Sequence, residues 1–260
     1  MKKLLLMVLS VAVIQSVRAQ DFRMGAKGAF NSTWLFNSNI SDKGDIIDYR
    51  ATFGANFGLQ FLLYFTENVG VSMDLLYASN EQRIEGFSEN PVLVWYAEEQ
   101  LKYLDVPILF HLSSEGGPYV EIGPQVGFLI GAKELLRWNN QQHPIPVETT
   151  SDYKDDFSTI SLAAVLGFGY DIEVSDNWFV NVGLRFGFGL SDVTKEIAQP
   201  DIADPDDVST ASYYANKGFY NYAHSKLAGH ANWSALNTHE YHATNRAFGG
   251  MQVGLIYKFD

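Results

Sequence analysis

The fold of this chain is decided by residues 101–133, LKYLDVPILFHLSSEGGPYVEIGPQVGFLIGAK. Two alternating segments flank the turn sequence Ser-Ser-Glu-Gly-Gly-Pro, and successive side chains of a strand point to opposite faces. One row, which includes Leu104, Ile108 and Ile122, is almost wholly apolar, whereas the other carries Asp105 and Glu121. We interpret this stretch as a β-hairpin with one face suited to lipid and one polar face.

The same alternation marks six further segments, which brings the predicted strand count to eight: 22–34, 53–65, 69–78, 161–174, 178–189 and 250–259. Connections alternate between short turns (66–68, 113–118, 175–177) and long loops, of which 191–246 is the longest. Short turns on one side and long loops on the other are typical of outer-membrane barrels. The sequence therefore predicts an all-β, eight-stranded antiparallel up-and-down transmembrane β-barrel with long extracellular loops.

The start of the chain predicts export. Residues 1–19 combine Lys2 and Lys3 with an apolar run and a Val-Arg-Ala end, the pattern of a Sec-type signal peptide. Residues 20–260 then form one barrel domain in the outer membrane of a Gram-negative bacterium. The chain has no cysteine, which excludes disulfides and thiol chemistry.

Charge excludes one class of partner. The whole chain carries a formal charge of −12, and removing residues 1–19 leaves 15 of its 18 basic residues against 30 acidic ones. A chain this acidic is a poor ligand for nucleic acid, so we expect no nucleic-acid partner.

The inward rows carry a set of charges that we expect to pair. The interior of an eight-stranded barrel is just wide enough to be filled by side chains, and buried charges need partners. The predicted lumen charge network is Lys27, Asp74, Asp105, Glu121, Asp171, Arg185 and Lys258, with Arg23, Lys133 and Glu173 on the same rows. The main interpretation is a side-chain plug; the alternative is a narrow ion or small-solute conduit that uses the lumen carboxylates.

Aromatic residues near the predicted strand ends indicate two interfacial girdles. We expect one girdle beside the short turns and one beside the long loops. The first contains Phe22, Phe65, Phe110, Tyr119, Trp178, Tyr257 and Phe259, and the second Trp34, Tyr77, Trp138 and Phe157.

The last long loop, 191–246, holds the remaining candidates. His239 and His242 would share one face of a helix, and Asp204 and Asp206 belong to an oxygen-rich run, but neither pair has a specific metal-site spacing, so no metal is predicted. Aromatic residues among polar ones suit a protein interface. The candidate partner-binding residues are Tyr213, Tyr214, Tyr220, Tyr222 and Trp233.

A barrel lipid hydrolase is a further alternative. His111 and Ser113 lie two residues apart on one strand face, yet spacing places no acid to orient the histidine. We therefore predict that the protein is not an enzyme and has no cofactor.

Three short motifs carry a family resemblance. Tyr-Leu-Asp-Val-Pro at 103–107 with Gly-Pro at 123–124, Gly-Ala-Lys-Gly-Ala at 25–29 and the glycine-rich 185–192 resemble the PorT-like outer-membrane β-barrel family of the Bacteroidetes group. The resemblance implies an eight-stranded barrel, and some members of that family take part in type IX secretion and gliding. The closing Tyr-Lys-Phe-Asp at 257–260 is similar to terminal strands that the barrel-assembly machinery recognises, although the final aspartate departs from the commonest ending.

Together, these patterns predict a non-enzymatic outer-membrane barrel that acts as a structural or interaction protein through its extracellular loops. Its expected partners are outer-membrane lipid, the barrel-assembly machinery during biogenesis and a protein of the envelope or of type IX secretion.

Overall fold

The computed structural model describes residues 21–37, 47–89, 92–139, 147–152, 154, 157–194 and 243–259. These residues form ten strands. In chain order they are β1 (Asp21–Phe36), β2 (Ile47–Arg50), β3 (Thr52–Tyr64), β4 (Val69–Glu89), β5 (Val92–Ser113), β6 (Pro118–Asn139), β7 (Val147–Asp152), β8 (Ile160–Ser175), β9 (Trp178–Gly189) and β10 (Asn245–Phe259).

Eight of these strands close into a ring. Each of β1, β3, β4, β5, β6, β8, β9 and β10 pairs antiparallel with the next, and β10 pairs with β1 from Phe22↔Phe259 to Phe36↔Asn245. Closure satisfies the backbone hydrogen bonds that lipid cannot. The predicted eight-stranded up-and-down barrel is confirmed. The short strands β2 and β7, which pair with β4 and β6, were not predicted.

The two faces of the wall are opposite in character. On β3, the outward Phe57 is 61% exposed whereas the inward Gln60 is 1% exposed. Exposed Leu, Ile, Val, Phe and Met side chains continue around the ring on the outward rows. Such a large apolar exterior requires lipid rather than water. None of the described residues forms a helix long and apolar enough to cross a membrane.

Three strands run far past this apolar belt. β4, β5 and β6 contain 21, 22 and 22 residues, about twice the 9 to 11 that a barrel strand needs to cross a bilayer. Their extra length lies on the long-loop side, where β2 and β7 widen the sheet at its two flanks. Residues 79–89 and 92–100, which lie between two predicted strands, therefore extend β4 and β5 beyond the membrane.

A β-bulge changes the facing of residues in β6. Leu129 pairs with Tyr103 and Gly131 pairs with Lys102, so Ile130 is an extra residue in its strand. Beyond the bulge Glu134 is buried, and Lys133 is exposed on the outer face. The prediction that Lys133 faces the lumen is therefore wrong, because simple alternation does not count a bulged residue.

The short turns are built locally. Gly116 and Gly117 adopt φ values of 91° and 106°, a backbone conformation that residues with a side chain rarely adopt. At 66–68, the Thr66 hydroxyl accepts a hydrogen bond from the Val69 backbone N–H at 3.1 Å. These compact turns fix the register of the strands that carry the lumen charges.

Candidate functional site: the lumen and its two ends

A central cluster of two cations and two carboxylates fills the middle of the lumen. The guanidinium of Arg185 on β9 donates from Nε at 2.9 Å and from Nη2 at 2.5 Å to Glu121 Oε1 on β6. Its Nη1 donates at 2.7 Å to Asp74 Oδ2 on β4, which also accepts from Lys27 Nζ at 3.3 Å. All four side chains are at most 3% exposed. Two positive charges thus meet two negative charges out of contact with water.

Inward glycines make room for this cluster. A Cβ at Gly167 would lie 2.5 Å from Glu121 Oε1, so the carboxylate can approach the guanidinium only across a glycine. In the same way Cβ atoms at Gly169 and Gly183 would each lie 2.5 Å from the Tyr119 hydroxyl. The glycines of β8 and β9 therefore do not widen a pore; large side chains from β6 occupy the space that they leave.

A polar chain connects the cluster toward the short turns. Gln252 donates from Nε2 to the Tyr119 hydroxyl at 3.0 Å and more weakly to Glu121 Oε1 at 3.4 Å. Tyr119 donates to Asn181 Oδ1 at 3.2 Å, and Asn181 donates to Asp171 at 2.6 Å. Tyr119 is 3% exposed and lies in the lumen, so its assignment to the interfacial girdle is wrong.

A second ion pair lies nearer the long loops. Arg246 on β10 donates from Nη2 to Asp105 Oδ2 on β5 at 2.7 Å, and its guanidinium lies 4.3 Å from the centre of the Tyr103 ring. Both charged side chains are at most 5% exposed. Arg246 was predicted to end the last loop; β10 begins earlier than predicted, at Asn245. The polar start of β10 hid this residue, since no apolar alternation precedes Met251.

His111 is packed between aromatic rings. Its imidazole stacks on Tyr119 with centroids 4.9 Å apart and meets the edge of Tyr64 at 5.7 Å. Nδ1 lies 3.8 Å from Glu121 Oε2, and neither ring nitrogen has a hydrogen-bond partner among the described residues. His111 and Ser113 are thus not hydrogen-bonded to each other, so the contact by which a histidine activates a serine is missing.

The lumen charges nearest the short turns are less enclosed. Lys258 is 36% exposed and lies 3.6 Å from Asp21, which also binds Arg23 at 2.7 Å. Asp171 is half-buried and Glu173 is exposed. Lys258 and Asp171, predicted as members of the lumen network, therefore belong to its mouth rather than to the central cluster.

The mouth contains a cavity of about 500 Å³, and the walls of this cavity include Glu67, Glu115, Asp171 and Glu173. The Arg23 guanidinium lies within it, 4.3 Å from the centre of the Phe179 ring and 4.7 Å from that of Tyr64. The cavity opens the short-turn end of the lumen as far as the Asp171 side chain.

The described residues at the long-loop end are held by packing and hydrogen bonds. Phe157 and Val193 are fully buried, and Phe157 forms a β-bridge with Thr194. The girdle prediction for Phe157 is therefore wrong. The Tyr49 hydroxyl accepts from the Asn37 N–H at 2.7 Å and donates to the Asn37 carbonyl at 3.0 Å. Burial raises the pKa of Tyr49, so this phenol stays protonated and able to donate.

One carboxylate holds the two ends of the last loop together. Asp192 Oδ1 accepts from the Thr194 N–H at 2.9 Å and from the Thr194 hydroxyl at 2.8 Å, and also from the Thr244 N–H at 3.0 Å. Val193 N donates to the Thr244 carbonyl at 2.9 Å. We call this arrangement the Asp192 clasp. The chain therefore leaves and re-enters the barrel wall at one point.

The remaining candidates of the last loop lie outside the described residues. They are Asp204, Asp206, Tyr213, Tyr214, Tyr220, Tyr222, Trp233, His239 and His242. In the part of the chain that the structure describes, no group of three or more His, Asp or Glu side chains is arranged to hold a metal.

A closed antiparallel ring with an apolar exterior and a charged interior defines an integral membrane β-barrel. The family described as "Outer membrane protein beta-barrel domain" matches residues 15–195, well over half of the 260 residues. The chain belongs to this family and is an outer-membrane protein. A search of curated proteins finds no significant match.

Three solved structures that match this chain are remote from it in sequence. OprG from Pseudomonas aeruginosa is 12% identical, with 93% of this chain and 96% of that chain covered and a TM-score of 0.36. Ail from Yersinia pestis, in complex with the heparin analogue sucrose octasulfate, is 9% identical over 92% and 100%, with a TM-score of 0.33. The outer membrane protease OmpT from Escherichia coli is 9% identical over 93% and 98%, with a TM-score of 0.37.

Proposed function

We propose that this protein is a non-enzymatic barrel with a plugged lumen, which acts by presenting its long-loop side to a partner at the cell surface. The observation that carries the proposal is the central cluster of Lys27, Asp74, Glu121 and Arg185. Its four charges pair with one another across the lumen out of contact with water, which favours a plug over a path for a solute.

The central cluster also argues against the alternative of a conduit. An ion crossing the lumen would have to displace a bidentate Arg185–Glu121 contact and then the separate Arg246–Asp105 pair. Both pairs are buried, where an uncompensated charge costs several kcal/mol. An eight-stranded ring offers no second route, because its interior is filled by its own side chains.

The long-loop side has the architecture of a presenting surface. β4, β5 and β6 continue past the apolar belt as a wall, and β2 and β7 widen it. The Asp192 clasp holds the two ends of the last loop together at its base. A rigid base lowers the entropic cost of ordering a loop in a complex, which favours recognition through this end.

The partner is a protein of the cell envelope in this proposal. The aromatic residues at 213–233 supply the contact surface, and the resemblance to PorT-like barrels suggests a component of type IX secretion or envelope biogenesis. The chain reaches its place through a Sec-type signal peptide at residues 1–19 and the barrel-assembly machinery of a Gram-negative cell.

Crosslinking on intact cells tests the proposal. We expect a photoreactive amino acid at Tyr220 or Trp233 to yield a discrete crosslinked protein, identified by mass spectrometry. A probe at Phe57, on the lipid-facing side, is the matched control and should yield none. Equal and diffuse crosslinking from all three positions would contradict a loop-directed partner.

A deletion of the last loop distinguishes loss of partner binding from loss of barrel folding. Because the Asp192 clasp brings Thr194 and Thr244 together, residues 196–241 can be replaced by a short Gly-Ser linker. We expect the shortened barrel to retain heat-modifiable migration on a gel and to lose the crosslinked partner. A shortened chain that fails to fold would show that the last loop is part of the barrel instead.

A further inference from the structure

The lipid-facing surface contains a groove between β1, β9 and β10, close to the short turns. Its volume is about 430 Å³. Two small residues of β1 form the floor, and larger apolar or aromatic residues form the sides. The lining is Met24, Gly25, Ala26, Trp178, Leu255, Tyr257 and Phe259.

The groove exists because β1 has only a small side chain, that of Ala26, at this point of its outer face. Ala26 lies on the outward row and pairs with Leu255 of β10 and Leu59 of β3, so a methyl group stands between two leucines. Gly25 lies on the inward row with Arg23 and Lys27, so only its backbone borders the groove. The backbone of β1 is therefore the floor of the groove.

The sides of the groove are held in place before anything binds. The Tyr257 ring meets Trp178 edge-on at 5.1 Å and Phe259 at 4.9 Å. The Tyr257 hydroxyl also accepts a hydrogen bond from Asn177 Nδ2 at 3.4 Å, which fixes the ring at the short-turn rim. A groove with preformed walls orders a flexible ligand at lower cost than a mobile surface does.

We propose that this groove binds one acyl chain of a phospholipid from the leaflet on the short-turn side. The groove is continuous with the lipid-facing belt of an outer-membrane barrel, so hydrocarbon is its natural solvent. Its lining is apolar, and its volume is comparable to that of one long acyl chain. The Tyr257 hydroxyl and Trp178 ring lie at the rim, where amphipathic aromatics meet the polar headgroup region.

Fluorescence quenching in mixed micelles tests this site. A chain with Trp34, Trp95, Trp138 and Trp233 replaced by Phe keeps Trp178 as its sole reporter. The barrel in detergent is titrated with phosphatidylcholine carrying dibrominated chains. We expect half-maximal quenching at about fourfold lower lipid mole fraction than at an ordinary outward position, the effect of burying about one further methylene group.

Two variants provide the controls. Ala164→Trp in a Trp178→Phe background reports an exposed outward position on β8. Ala26→Phe fills the groove, and it should shift the Trp178 titration about fourfold, to the curve of that control. Heat-modifiable migration verifies that each variant is folded. Retention of the tighter Trp178 titration in folded Ala26→Phe would contradict a groove site.

Two further outcomes would overturn the proposal. If Trp178 and the Ala164→Trp reporter titrate alike in otherwise native barrels, the groove holds no lipid beyond ordinary solvation. If Trp178 quenching decreases as protein concentration rises at constant lipid mole fraction, a second copy of the barrel occupies the groove. The site lies on the outer face, so neither result bears on the proposed role of the loops.

Discussion

Lys27 and Lys258 lie on inward rows of neighbouring strands, yet they have opposite environments. Lys27 is 1% exposed and donates to Asp74 within the central cluster, whereas Lys258 is 36% exposed and reaches Asp21 only at 3.6 Å. Both side chains point toward the lumen, as the alternation predicts. They lie at different depths along the barrel and therefore have different partners. The comparison between the central cluster and the mouth shows that an inward charge is structural only where the wall excludes water.

The largest expected effect comes from removing the hub of the central cluster. Arg185→Met leaves Glu121 without its bidentate partner and two carboxylates buried around one lysine. Breaking a buried ion pair from one side costs about 3–5 kcal/mol. We expect that loss in the free energy of unfolding, measured by urea titration of the barrel refolded in vesicles.

A double variant distinguishes charge from packing. Arg185→Met combined with Glu121→Met leaves Lys27 paired with Asp74, and it should recover most of the loss, because apolar replacement of a whole buried pair is often neutral. Equal destabilisation in the single and double variants would show that shape, rather than charge, makes Arg185 important.

The glycine beneath the cluster should have an intermediate effect. A Cβ at Gly167 would meet the Glu121 carboxylate, and overpacking a filled interior costs about 1–3 kcal/mol. Gly131→Ala is the matched control, because its Cβ would meet only Lys102 side-chain atoms at 3.9 Å. Unfolding titrations should separate the two variants; equal stability would mean that Glu121 can move aside freely.

A pair of lysine variants, of which Lys258→Met has the smallest expected effect, tests the opening comparison directly. Lys27→Met removes a buried charged hydrogen bond, worth about 1.5–3 kcal/mol, while Asp74 keeps Arg185. Lys258→Met removes a solvent-exposed charge and should change the free energy of unfolding by less than about 0.5 kcal/mol. If the two variants cost the same, enclosure does not set the importance of inward charges.

Much of the fold could be predicted from residue type alone. Phenylalanines at every fourth position of β3 indicate its facing, because the side-chain period of a strand is two, and the Gly-Gly turn before β6 indicates where a turn lies. The short strands β2 and β7 could not be predicted. Each pairs with a neighbouring strand beyond the lipid-facing belt, where the sequence need not alternate between apolar and polar residues.

The alternation predicted which side chains face the lumen, but not how deeply each one is buried. Asp74, Asp105, Glu121 and Arg185 lie where the alternation places them, whereas the exposure of Glu173 and Lys258 depends on where the wall ends. The outward direction of the Lys133 side chain depends on a bulge at Ile130, and no residue type in this stretch predicts that bulge. Arg246 could be recognised as part of a strand only from its long-range pairing with Leu35 of β1.

The central claim is that the lumen is plugged, and conductance across a planar lipid bilayer measures this most directly. Purified, folded protein is inserted into the bilayer in concentrated potassium chloride, and insertion is verified by protease protection. We predict no discrete conductance steps from the native barrel, because the Arg185–Glu121–Asp74–Lys27 cluster and the Arg246–Asp105 pair obstruct the lumen in series. Stable, reproducible steps whose ion selectivity changes in Glu121→Gln would contradict the plugged barrel.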